Sequence, residues 1–153
     1  MLALLLAAVL IGDPLPALSL TSMPGGESVE LPLRGRITVI DLFATWCGPC
    51  RESLPVLERL RHRYGDRVEF VSIAEDRDAA NVERFVHELH VGRRVLLDHH
   101  RHAYRALGAH ELPTTYLVDA DGVVRKINHR YGPAYEARVT GWLEEILGSR
   151  PKR

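Results

Sequence analysis

Two cysteines stand three residues apart in Trp46-Cys47-Gly48-Pro49-Cys50, and the chain has no others. Cysteines at this spacing can exchange disulfides, supply half of a zinc site, or close a structural bridge. The flanking residues favour the first. Residues 37–43, Ile-Thr-Val-Ile-Asp-Leu-Phe, are β-rich and apolar on both faces, as a central buried strand must be. Residues 49–64 read as a helix, with Leu54, Leu57, Leu60 and Tyr64 near one face. The pair therefore sits where a buried strand turns into a helix, the context a redox pair needs. Cys47 falls at the helix N-terminus, where unpaired amides and the helix dipole favour negative charge. A thiolate forms more easily there, and the thiolate is the attacking species. Cys50, one turn further in and less exposed, is expected to resolve the mixed disulfide that Cys47 makes. Pro49 suits the first helical turn, where its missing N–H costs nothing.

Zinc would need about four ligands, usually including a second close pair. The available histidines are His87 and His90 on one helix and His99, His100 and His102 in one loop. None repeats a metal-binding spacing, and His87-Glu-Leu-His90 lacks the i, i+4 spacing of a zincin helix. The expectation is no metal and no cofactor.

A chain of 153 residues fits one domain and buries roughly 68–70% of its unfolded surface without disulfide staples. The hydrophobic share of 46% and charged share of 26% exclude a disordered, collagenous or multi-span membrane chain. Twenty basic residues balance twenty acidic ones, so no surplus of positive charge exists to neutralise phosphates, and nucleic acid is not an expected partner. Leu2 to Ile11 is an unbroken apolar run of ten residues, against about 20 needed to cross a bilayer. It reads as the remnant of a signal or anchor over residues 1–11, or as a terminal core strand; no Lys or Arg precedes it and no clear cleavage site follows. The domain is then placed at residues 12–150.

Residues 18–33 read as short strands around the turn Pro24-Gly25-Gly26. Strands are expected at 68–73 and 95–97, and helices at about 79–90 and 101–107. Residues 115–118 and 123–127 frame Asp121-Gly122 as a hairpin, and a last helix covers about 134–147. Strands alternating with helices before a closing hairpin predict an α/β domain, a central mixed sheet flanked by helices on both faces.

Trp46-Cys-Gly-Pro-Cys50 resembles the thioredoxin active site, and three further features agree. Asp41, six residues before Cys47, matches the buried aspartate of thioredoxins. Pro55 matches the proline that kinks their active-site helix. Leu112-Pro113-Thr114 matches the loop whose cis-proline faces the cysteines. The stretches 44–55 and 113–122 are similar to the TlpA/ResA-type branch, and 74–107 fits the strand and helix which that branch inserts. The resemblance covers about residues 12–147 and implies a thioredoxin-like fold. It also implies export to the periplasm or another extracytoplasmic space, often with a membrane tether. The implied activity is reduction of disulfides there, including those of apocytochromes c.

The resemblance assigns Cys47, Cys50 and Asp41 to catalysis, and Trp46, Gly48, Pro49, Leu112, Pro113 and Thr114 to substrate binding. Two departures stand out. Many members carry glutamate three residues after the second cysteine, where this chain has Ser53 after Glu52, and many carry asparagine where it has Asp41. A carboxylate buried in a strand should have its pKa raised by desolvation, and Asp41 could then accept the proton of Cys50; the plainer reading is a structural Asp. Trp46 could equally pack in the core, and an X-Pro bond at 113 is by default trans. Glu111, beside the loop, is expected to oppose thiolate formation at Cys47. Together these features give a monomeric thiol-disulfide oxidoreductase acting on protein disulfides or dithiols. As a reductant it would be recharged by a membrane or thioredoxin-type electron donor. The alternatives are an oxidant that donates its disulfide, and a module that carries copper or zinc on the two cysteines. A peroxidase fits less well, because Ala44 stands where Thr or Ser would be needed.

Overall fold

Apolar runs with turn residues between them become a seven-stranded mixed sheet in a computed structural model that describes residues 8–148. In chain order the elements are β1 (Leu18–Met23), β2 (Ser28–Leu31), β3 (Ile37–Phe43), α1 (Gly48–Tyr64), β4 (Val68–Ala74), α2 (Ala79–Glu88), β5 (Arg94–Leu97), α3 (His102–Leu107), β6 (Thr114–Val118), β7 (Val124–His129) and α4 (Tyr135–Gly148). The strands lie in the order β2-β1-β5-β4-β3-β6-β7. β3, β4 and β5 are parallel, and β6, β7, β1 and β2 extend the sheet antiparallel on either side. The thioredoxin-like α/β architecture expected from the sequence is present.

Strand alternation divides the core into two faces. Ile40, Leu42, Val71, Ile73, Leu96, Tyr116 and Val118 point to one side and pack with Ala103 and Leu107 of α3 and with Val9 and Leu15 of the N-terminal segment. Val39, Phe43, Phe70, Ala74, Val95 and Leu97 point to the other side, where α1, α2 and α4 cover them. Each fully buried Leu or Phe in these layers contributes roughly 1.5–3 kcal/mol. Asp41 and Ser72 share the second face and lie opposite each other in the β3–β4 register. The sheet thus carries two polar side chains directly beneath α1.

Boundaries shift where side chains seize backbone amides. The sequence places a helix over 101–107, yet α3 starts at His102 after a 3-10 turn at His99–Arg101. The Asp98 carboxylate accepts the amides of Ala103 and Tyr104 at 2.8 and 3.0 Å, which fixes the start of the helix. α2 ends at Glu88 rather than near 90, because His90 turns to φ 52°. At the end of α3, Gly108 takes φ +64°, and a Cβ there would lie 2.4 Å from Ala8 Cα. Glycine is what lets the N-terminal segment close on α3, with the Val9 amide bonding to the Leu107 carbonyl at 3.1 Å. Residues 2–7 of the apolar run, and 149–150 of the expected domain, lie outside the described residues; Leu10 and Ile11 are exposed.

Candidate active site

Cys47 is the N-cap of α1, with extended backbone, and Pro49 occupies the first turn. Cys47 and Cys50 form a disulfide across a Cα–Cα distance of 5.3 Å, well inside the range a bridge requires. Cys47 is 6% exposed and Cys50 is fully buried against Phe43, Leu54, Val82 and Phe85. The turn from β3 into α1 is clasped from β4's far end. Asp76 accepts the Thr45 amide at 2.9 Å and the Thr45 hydroxyl. Trp46, in contrast, is 70% exposed, which removes core packing as its role. Gly48 and Pro49 are exposed beside it. Together they form an exposed, partly apolar rim beside the disulfide. Ser53 is buried, and its hydroxyl donates to the Cys50 carbonyl at 3.3 Å.

The loop before β6 reaches the same place. The Leu112–Pro113 bond is cis, Pro113 and Thr114 are buried, and Leu112 packs against the cluster that holds both cysteines. The Thr114 hydroxyl donates to the Glu111 carbonyl at 2.7 Å, and the Arg130 amide donates to the Pro113 carbonyl at 2.8 Å. Glu111 is not the lone carboxylate that its sequence position implies. Arg130 donates to it at 2.7 Å, and that bond holds the Glu111 carboxyl below the usual range. The pair is close to neutral as a whole, so its influence on Cys47 comes from imbalance. The Cys47 thiol in the reduced protein should titrate at lower pH in Glu111→Gln and at higher pH in Arg130→Gln, read from ultraviolet thiolate absorbance. Identical titrations in both variants would show that the pair does not reach the thiol.

Asp41 is 1% exposed and lies on the β3 face covered by α1. Burial pushes its pKa up, and the Arg93 charge and the Ser72 hydrogen bond pull against that rise. The Ser72 hydroxyl donates to Oδ1 at 2.5 Å, while Oδ2 is buried with no hydrogen-bond partner among the described residues. Tyr135 of α4 senses the Asp41 charge: burial first and that charge second push the phenol up, and its hydroxyl pairs with Thr115 at 2.8 Å. Sequence reasoning singled out Asp41 but missed Arg93, Glu58 and Ser72. The only sequence signal available was an arginine entering a short apolar strand, and one residue type at one position does not announce burial. Among the described residues no three His, Cys, Asp or Glu side chains gather as a metal-holding group, and no helix is long and apolar enough to cross a membrane.

Residues 10–140, most of the chain, match the Redoxin family model. This chain belongs to the Redoxin family. Within it, the chain is 30% identical over 121 residues to the thiol-disulfide oxidoreductase ResA of Geobacillus thermodenitrificans, an overlap of 78% of this chain and 70% of the relative. The thioredoxin-like protein YneN of Bacillus subtilis is 27% identical over 120 residues, 76% of this chain and 70% of that one. A Chlorobium tepidum structure assigned to the thiol:disulfide interchange protein DsbE superposes with a TM-score of 0.86 at 25% identity, covering 92% of this chain and all of the other. This Redoxin-family chain is thus a thioredoxin-like thiol-disulfide oxidoreductase of ResA and DsbE type, with its cysteine pair Cys47 and Cys50 at bonding distance.

Proposed function

We propose that this protein reduces protein disulfides outside the cytoplasm, acting as a monomer, and that its partners include proteins such as apocytochromes c. The observation that carries the reading is the placement of the pair: Cys47 is the N-cap of α1, next to the exposed Trp46, while Cys50 is buried one turn further on. In the reduced protein the Cys47 thiolate attacks one sulfur of a substrate disulfide. A mixed disulfide forms and one substrate thiolate leaves. Cys50 gives its proton to Asp41 and attacks Cys47 Sγ, which closes the Cys47–Cys50 bridge and releases the second substrate thiol. Two electrons pass to the substrate, and a membrane or thioredoxin-type dithiol donor returns them. Trp46, Gly48, Pro49 and the Leu112-Pro113-Thr114 loop hold the substrate segment, with Leu112 offering backbone for strand pairing.

The Gly-Pro spacer supports the reducing direction, since thioredoxin carries it at about −270 mV. The apolar run at residues 2–11 and the ResA-type relatives support an extracytoplasmic setting. Equilibrating the Cys47–Cys50 pair in thiol/disulfide buffers, with the thiols quantified by alkylation, tests the direction. A potential at or below about −230 mV is expected, and one near about −120 mV would reverse the electron flow and make the protein a disulfide donor.

A further inference from the structure

Between α1 and the sheet runs a row of charged side chains, buried at its inner end, that neither the disulfide nor the substrate rim requires. Arg93 enters the core just before β5, and its side chain is completely buried. Its Nε donates to the Ser72 hydroxyl at 2.6 Å and lies 3.8 Å from Asp41 Oδ1. Its Nη1 donates to Glu58 at 3.0 Å and to the Leu54 carbonyl of α1 at 3.3 Å. Glu58 is held in turn by Arg61, at 2.6 and 3.0 Å, and by the Gly92 amide at 3.1 Å. Burial pushes Glu58 up, but those donors and the Arg93 charge outweigh it and hold the carboxyl below its usual range. With Asp41 ionised, Asp41, Arg93, Glu58 and Arg61 alternate in sign and sum to zero.

Burying an arginine costs several kcal/mol unless its charge is met, and Glu58 alone would meet it with help from the Leu54 carbonyl. The additional reach to Ser72 and Asp41 needs another reason. A carboxyl group as enclosed as Asp41 would by itself prefer the neutral form. A guanidinium has no acceptor and does not give up its proton in proteins, so Arg93 cannot carry the proton of Cys50. It can act on whichever group does. The Ser72 bridge occupies Oδ1 and leaves Oδ2 as the open acceptor.

We propose that Arg93 is a positioning residue for disulfide exchange: with its charge, and through Ser72, it keeps Asp41 a carboxylate beneath α1 with Oδ2 open to a proton. The proposal rests on the reading of Asp41 as the base for Cys50. The groups that face Asp41 are Ser72 from β4, Arg93 from the entry to β5, Thr115 from β6 and Tyr135 from α4, with Glu58 of α1 behind Arg93. Arg93 is the one cation among them.

The test titrates Asp41 directly, by carbon NMR of its carboxyl in the oxidised protein, beside the pH profile of insulin-disulfide reduction. Arg93→Met should move the Asp41 midpoint to higher pH and Arg93→Lys should bring it back towards wild type. Reduction by Arg93→Met should fall at least about tenfold on the acid side of the wild-type profile and recover towards alkaline pH, as Asp41 ionises unaided. Should Arg93→Met fail to fold, Arg93→Gln keeps a donor for Ser72 without the charge and carries the same test. A structural role alone would lower stability and leave both midpoints in place. An unmoved Asp41 midpoint overturns the proposal. A midpoint that moves while the rate profile stays fixed upholds Arg93's hold on the carboxylate and sinks instead the reading of Asp41 as base.

Discussion

Cys47→Ser should lose reduction of insulin disulfides completely, by more than about 10³-fold, while Cys50→Ser should stop after the first step and accumulate a mixed disulfide. The two outcomes differ because the two sulfurs differ in place. Cys47 is the N-cap of α1, where amides without helical partners and the dipole stabilise an anion. Serine there presents a hydroxyl that does not ionise near neutral pH, so no attacking species forms. Cys50 is fully buried among Phe43, Leu54, Val82 and Phe85. A substrate disulfide cannot reach it, so its thiol acts only within the molecule. With Cys50 replaced, the adduct on Cys47 has no resolving partner and persists until an external thiol arrives. Mass spectrometry of the protein after mixing with a small disulfide reads this directly. Turnover retained in Cys47→Ser, or an adduct found on Cys50 in that variant, would refute the division of labour.

Much of this site is written in short stretches of sequence because short stretches determine it. The apolar run at 37–43 could only be a central strand, and the Gly-Pro between the cysteines fits a helix start; both are local properties, and both elements are present. The hairpin around Asp121-Gly122 is legible for the same reason, with Gly122 at φ +83° and β6 and β7 on either side. Burial of Asp41 follows from its place inside that strand. What meets its charge does not. Ser72 is 31 residues away, and the arginine that bonds to Ser72 is a further 21. In sequence, Arg93 is one of two arginines beside a glycine, and such residues usually face water. Only the parallel pairing of β4 with both β3 and β5 brings Asp41, Ser72 and Arg93 to one face. Glu111 shows the same gap on the surface, since its partner Arg130 lies beyond the hairpin. Local pattern locates the reacting sulfurs, and tertiary register supplies the charges that surround them.

Asp41→Asn should slow disulfide reduction near neutral pH by about 10²-fold and at the same time make the oxidised protein more stable. The rate falls because the asparagine amide cannot take the proton of Cys50, and the lifetime of the mixed disulfide lengthens accordingly. The stability effect follows from the direction in which burial moves the carboxyl. Its folded pKa lies above the unfolded value, so the folded state binds the proton more tightly than the unfolded chain. The stabilisation from that proton is fully present below the unfolded pKa and is lost as pH rises through the folded one. Between those two values each rise in pH therefore ionises the carboxyl at the expense of the fold. Asn keeps the shape and can still accept from Ser72, while Arg93 retains Glu58 at 3.0 Å. Denaturant unfolding should show the two proteins diverging, with Asp41→Asn the more stable, as pH rises from acid to about pH 8. An Asn variant with wild-type rate and wild-type pH profile would end the catalytic assignment of Asp41. A variant that is slower yet less stable at every pH would mean that Arg93 needs the carboxylate more than burial opposes it.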